Sequence, residues 1–145
     1  RARRRMTAHP KFYFFDTGVF RALRPRGPLD APEEIDGAAL ETLLFQEIRA
    51  LNDYLGLGYS LHYWRTASGL EVDFVLYGER GIRAFEVKRS SRLRSEDFKP
   101  LKAFVKDYPM AKAWLVYSGS RTRSEGPIRV LPMDVCLREL PDLLD

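Results

Sequence analysis

The chain has 145 residues, 45% apolar and 12% aromatic, enough to bury a core and too apolar for a disordered segment. Its formal net charge of +4 permits an acidic partner such as nucleic acid without demonstrating one. One cysteine, Cys136, and two histidines exclude an internal disulfide framework and a Cys/His zinc cluster, and no apolar run reaches the roughly 18 residues of a membrane span.

A single domain over residues 1–145 is expected, with 1–10 as a linker and a reducing, cytoplasmic setting. The start, "RARRRM", is basic but has no apolar stretch behind it, so it is not a secretory signal. It reads as a cut inside a longer protein. "KFYFFDTG" (Lys11 to Gly18) predicts a short strand, "GVFRALRP" one or two helical turns, and Arg24 to Gly37, rich in Pro and Gly, a loop. "DGAALETLLFQEIRALNDYLGLG" is the strongest helix signal. Asp36 is placed to cap it, Gly56 and Gly58 to end it, and Leu40, Leu43, Leu44, Ile48, Leu51 and Leu55 line one face. Three strands follow, "SLHYWRT", "LEVDFVLYG" and "GIRAFEVKRS", with connections short enough for an antiparallel meander. "SEDFKPLKAFVKDYP" predicts a helix, irregular near Pro100, that makes a parallel crossover to the strand "AKAWLVYSG". "GPIRVLPM" is a last strand and "DVCLREL" a short helix, with "SGSRTRSEG" a polar, basic loop before them. The outline is α/β, a mixed sheet with a helix packed on each side.

The informative residues are charges inside the apolar strands. Alternation puts Glu71, Asp73 and Val75 on one face of "LEVDFVL", and Leu70, Val72, Phe74 and Leu76 on the other. In "AFEVK", Glu86 and Lys88 share a face opposite Phe85 and Val87. An Asp on one strand, with an acid and a lysine two residues apart on the next, can converge on one side of the sheet. Clustered carboxylates repel and are costly to bury, so they need a cation among them. Lys88 is one candidate. Mg²⁺ or Mn²⁺, which favour carboxylate oxygens and bind phosphates, is the other. On spacing alone, a half-exposed strand pair with solvated charges is the better explanation of the pattern. The long helix adds Glu41 on the shoulder of the leucine stripe and Glu47 close to its centre, where either can complete a carboxylate cluster or, for Glu47, tip out past Ile48 or pair with Arg49.

A helix acid, then Asp, then about a dozen residues, then E-x-K resembles the PD-(D/E)XK signature of restriction-endonuclease-like nucleases. The matching positions are Glu41, Asp73, Glu86 and Lys88, with Val72 where the name-giving Pro stands. A closer resemblance covers Lys11 to Ser90. "KFYFFDTGVFRAL", "GAALETLLFQEIRAL", "YWRTASGLEVDFVL" and "FEVKRS", in that order, resemble the C-terminal domain of unknown function attached to many prokaryotic AAA-type ATPases. The resemblance implies a restriction-endonuclease-like core, with an ATPase module upstream. No G-x-x-x-x-G-K-[ST] is present, so no P-loop is visible in the chain.

The function expected is metal-dependent phosphodiester hydrolysis on DNA, or alternatively RNA, with Asp73, Glu86 and Glu41 (or Glu47) as metal ligands. Lys88 would orient or help deprotonate the attacking water. Arg65, Arg89, Arg92 and Arg94 are the candidates for holding a phosphate backbone. The competing reading is a non-catalytic module that regulates the ATPase or binds nucleic acid or a protein. Trp64 reads as core, His62 as structural, and His9 and Cys136 as incidental.

Overall fold

A computed structural model of the chain describes residues 32–145, and their side chains from residue 37 onward. The strand and helical turns predicted between Lys11 and Pro25, and the first part of the predicted loop, lie outside these residues. Helix α1 runs Pro32–Tyr54. It therefore begins inside the stretch expected to be loop, and Asp36 is a helical residue instead of its cap. The signals for the earlier start are local: proline is preferred in a first helical turn, and Glu33 and Glu34 follow it where acids favour the helix dipole. Beyond Tyr54 the chain turns through Gly56 and Gly58, both with positive φ, a backbone region closed to most side chains. Leu55, expected on the stripe, falls in this turn and is largely exposed.

Strands β1 (Ser60–Arg65), β2 (Glu71–Gly78) and β3 (Gly81–Lys88) form the antiparallel meander. A 3-10 turn, Ser95–Phe98, leads into helix α2 (Lys99–Asp107), with Pro100 in its first turn where a missing N–H is harmless. The chain then enters β4 (Lys112–Tyr117), parallel to β3. A strand missing from the sequence outline, β5 (Arg123–Glu125), pairs with β6 (Ile128–Pro132), which lies parallel to β4. Helix α3, Met133–Leu144, closes the described chain. The six-stranded mixed sheet has the order β1-β2-β3-β4-β6-β5.

Alternation along the strands feeds two cores. On one face Phe74, Leu76, Phe85, Trp114 and Val116 pack against Leu44 and Ile48 of α1 and Cys136, Leu140 and Leu144 of α3. Phe85 and Trp114 stack at 4.8 Å between ring centroids. On the other face Trp64, Val72, Val75, Ala84, Leu115 and Val130 pack against Phe98, Leu101 and Phe104. Trp64 meets Phe104 edge-on at 5.5 Å, which makes it core as expected. The molecule is thus an α/β domain with helices on both faces of one sheet, and no helix among the described residues is long and apolar enough to cross a membrane.

Candidate functional site

The site forms where two strands stop pairing regularly. β1 and β2 pair His62 with Val75 and Trp64 with Val72, so Tyr63 alone faces both Asp73 and Phe74. This extra residue is a β-bulge, which re-aims side chains and breaks alternation. The strict two-residue alternation expected for "LEVDFVL" therefore fails. Val72 packs in the same core as Val75, while Phe74 and Leu76 enter the opposite one. Between β2 and β3 the regular register runs from Gly78↔Gly81 to Phe74↔Phe85. At the next step side chains take over the ladder. The Asp73 N–H donates to Glu86 Oε2 at 3.2 Å, and the Val87 N–H donates to Asp73 Oδ2 at 2.8 Å.

β3 continues straight along β4, with Glu86 opposite Leu115 and Lys88 opposite Tyr117. That keeps Glu86 and Lys88 on one face, and the Lys88 ammonium lies 3.0 Å from Glu86 Oε1. Asp73, Glu86 and Lys88 are therefore assembled into one hydrogen-bonded unit, as the strand spacing led us to expect.

The environment is uneven. Glu86 is only 4% exposed. Burial first, and then the Asp73 charge, push its pKa up to about 8, against a smaller opposing pull from Lys88 and the Asp73 N–H. Burial works against the Lys88 charge, but Glu86, Asp73 and Asp97 together outweigh it and hold the amine above its ordinary value. Lys88 is therefore an ammonium at neutral pH. In that form it can orient a water or a phosphate oxygen.

Other candidates are placed differently. α1 covers the sheet face of Phe85, whereas Glu86 and Lys88 project to the other face by alternation. Glu41 is half-buried and has an interaction partner. Glu47 is exposed, so of its two expected placements the structure shows the one that tips out past Ile48, and the place in a carboxylate cluster is corrected: Leu44 and Ile48 define the buried line and Glu47 turns to solvent. Among the described residues no three His, Cys, Asp or Glu side chains are grouped to hold a metal ion. Arg65 is exposed at the end of β1, opposite Glu71. Arg89 is half-buried and engaged, and Arg92 and Arg94 are exposed on the segment leaving β3.

The donor chemistry of Asp73 and Glu86 fits Mg²⁺ or Mn²⁺, which take hard carboxylate oxygens. Mg²⁺ is commonly bound by one or two carboxylates, with waters and substrate phosphate completing its shell. Two residues near the site had no role in the sequence reading. Asp97, whose Oδ2 accepts the Arg94 N–H at 2.7 Å, adds to the field on Lys88. Tyr117, beside Lys88, braces a loop with its hydroxyl. Asp97 had a readable signal, an acid three residues after a turn start; Tyr117 had none.

Fold and site together define an α/β sheet domain in which a buried glutamate is joined to a half-buried aspartate and lysine where β2 and β3 part. Residues 36–136 match the family described as Domain of unknown function (DUF4143), and the chain belongs to that family. The match takes in Asp73, Glu86 and Lys88. No curated protein matches the chain, and no solved structure does.

Proposed function

We propose that this domain hydrolyses phosphodiester bonds in nucleic acid, DNA in the first instance, with Mg²⁺ or Mn²⁺, as a nuclease-like module attached to an AAA-type ATPase. The supporting observation is the Glu86 carboxylate. It is buried where β2 and β3 part, and it accepts from both Lys88 and the Asp73 N–H. An acid pushed far from its ordinary titration first by burial and then by a neighbouring acid, with a lysine attached, is the kind of group that marks a working site. The ATPase association rests on the resemblance of the sequence blocks given above.

Asp73 and Glu86 are the residues assigned to the cation. When bound, it supplies Lewis-acid neutralisation of phosphate charge and a more acidic water. Lys88 donates to the attacking water or to a non-bridging phosphate oxygen. The Val87 N–H fixes the direction of the Asp73 carboxylate, and the Asp73 N–H does the same for Glu86. In the hydrolysis the water oxygen forms a new bond to phosphorus, the bridging P–O bond breaks, and a proton ends on the departing alkoxide.

A second reading, the non-catalytic accessory module, is favoured by those same reciprocal bonds, which give both acids a structural use as ties between strands. Cleavage of plasmid and oligonucleotide DNA in Mg²⁺ or Mn²⁺ separates the two. Lys88→Ala and Asp73→Asn are expected to lower the rate at least about 100-fold. Glu41→Gln shows whether the helix acid takes part. Cleavage indifferent to Lys88→Ala would place the chemistry at another site, and no cleavage by the wild type would leave the accessory role.

A further inference from the structure

The loop between β4 and β5 lies at the same end of the sheet as the candidate site. β3 and β4 are parallel and end together at Lys88 and Tyr117. The segments leaving them are tied to each other, the Ser118 N–H donating to the Ser90 carbonyl at 3.4 Å. Tyr117, only 6% exposed, braces the second segment: its hydroxyl donates to the Arg121 carbonyl at 2.8 Å and accepts the Arg121 N–H at 3.2 Å. The first segment is folded on Ser90, whose hydroxyl donates to the Arg92 carbonyl at 2.6 Å and accepts the Arg92 N–H at 3.1 Å.

Three arginines of these segments differ from their neighbours: Arg89 is engaged, and Arg123, at the start of β5, lies against a carboxylate, as do Arg80, Arg129 and Arg138 elsewhere. The side chains of Arg92, Arg94 and Arg121 are exposed, with no carboxylate partner among the described residues, and Arg65 reaches the same end from β1. Among the described residues, the large exposed apolar side chains are Tyr54, Leu55, Tyr77 and Met110, and none of them lies at this end. Tyr77 pairs with Ser60 at the opposite end, Tyr54 and Leu55 precede that end of β1, and Met110 precedes the start of β4.

We infer that the segments 89–94 and 118–123 form a two-sided cradle for the phosphate backbone of a duplex, with Arg92 and Arg94 on one side and Arg121 on the other. Single-strand surfaces combine basic groups with aromatic platforms for unstacked bases. Among the described residues this end offers guanidinium groups and the Lys88 ammonium without an exposed aromatic platform, a surface that reads charge and not bases. The cradle borders Lys88, so a backbone held in it passes the acid–acid–lysine unit. The inference rests on the proposed phosphodiester chemistry for its meaning, but binding can be measured without it.

The test is equilibrium binding of a labelled 20-base-pair duplex and of one of its strands to the whole chain in EDTA, across a salt series. The duplex is expected to bind more tightly than the strand. Arg121→Ala and Arg92→Ala should each flatten the plot of log affinity against log salt by about one and weaken duplex binding about eightfold at 0.1 M salt, the effect of one counterion not released. Arg138→Ala, on the outer surface of α3, should leave the slope unchanged. Tighter or equal binding of the single strand, or a slope indifferent to Arg121→Ala and Arg92→Ala, overturns the cradle. Duplex binding that follows this pattern without any cleavage in Mg²⁺ or Mn²⁺ supports the cradle while removing the hydrolytic reading.

Discussion

Replacing Glu86 by Gln should remove a pH dependence built into the fold. The Glu86 carboxyl has its pKa pushed from about 4.5 up to about 8, first by burial and then by Asp73. An acid raised in this direction keeps a proton in the folded chain that the unfolded chain has released. Stability is therefore highest below the unfolded value, falls as pH rises from about 4.5 to about 8, and is level above that. At about 1.4 kcal/mol per unit, the loss is below about 1 kcal/mol at pH 5 and about 3 kcal/mol at pH 7. For a chain of this size, about 3 kcal/mol moves a thermal midpoint by roughly 10 °C. Glutamine has no such titration. It pairs less well with Lys88, so the variant carries a constant penalty of about 1–3 kcal/mol for an unmade hydrogen bond. The slope is therefore the discriminating quantity. Urea unfolding in EDTA at pH 5, 6, 7 and 8 should give a difference between wild type and Glu86→Gln that grows by about 1.4 kcal/mol per pH unit in favour of the variant. Titrating groups that do not interact with Glu86 are common to both chains and cancel. Parallel curves would refute the reasoning, because they would mean that Glu86 titrates alike in the folded and unfolded chains.

Three further outcomes follow from the structure. If Asp73 and Glu86 take up a divalent cation, binding must displace the Glu86 proton, so Mn²⁺ affinity measured by calorimetry should rise by up to about tenfold per pH unit below pH 8; affinity independent of pH would contradict this. A Cβ at position 119 would sit 2.1 Å from the buried Tyr117 ring, so Gly119→Ala should destabilise the domain by about 1–3 kcal/mol in urea and disturb the 118–123 segment, seen as faster amide exchange at Arg121. Cys136 is fully buried with its thiol pushed up to about 12, chiefly by burial, so a thiol reagent should label the native chain at pH 8 only as fast as it unfolds; prompt labelling would place Cys136 at the surface.

The meander, the crossover and the irregular start of α2 were legible because they depend on short-range signals: apolar alternation, Gly turns and a proline. The joint presence of Asp73, Glu86 and Lys88 was legible because strand pairing brings such spacings together. The bulge at Asp73–Phe74 was not, since one additional residue against Tyr63 leaves no compositional mark, and it alone decides that Val72 and Phe74 serve different cores. β5 escaped notice because its three residues, Arg123, Ser124 and Glu125, are polar and held by pairing with β6 instead of by burial. Glu47 shows the limit of the helical wheel. It lies one residue before the buried Ile48, and packing against the sheet, not periodicity, sets which side of the stripe turns outward.

Mn²⁺ titration of the wild type and of Asp73→Asn, in which Asn keeps an acceptor for the Val87 N–H but loses the charge, addresses the central claim most directly. One ion bound per wild-type chain and none by the variant is the expected result. A wild type that takes up no ion, or a variant that binds it as well, would show that Asp73 and Glu86 are ties between strands and not a cation site.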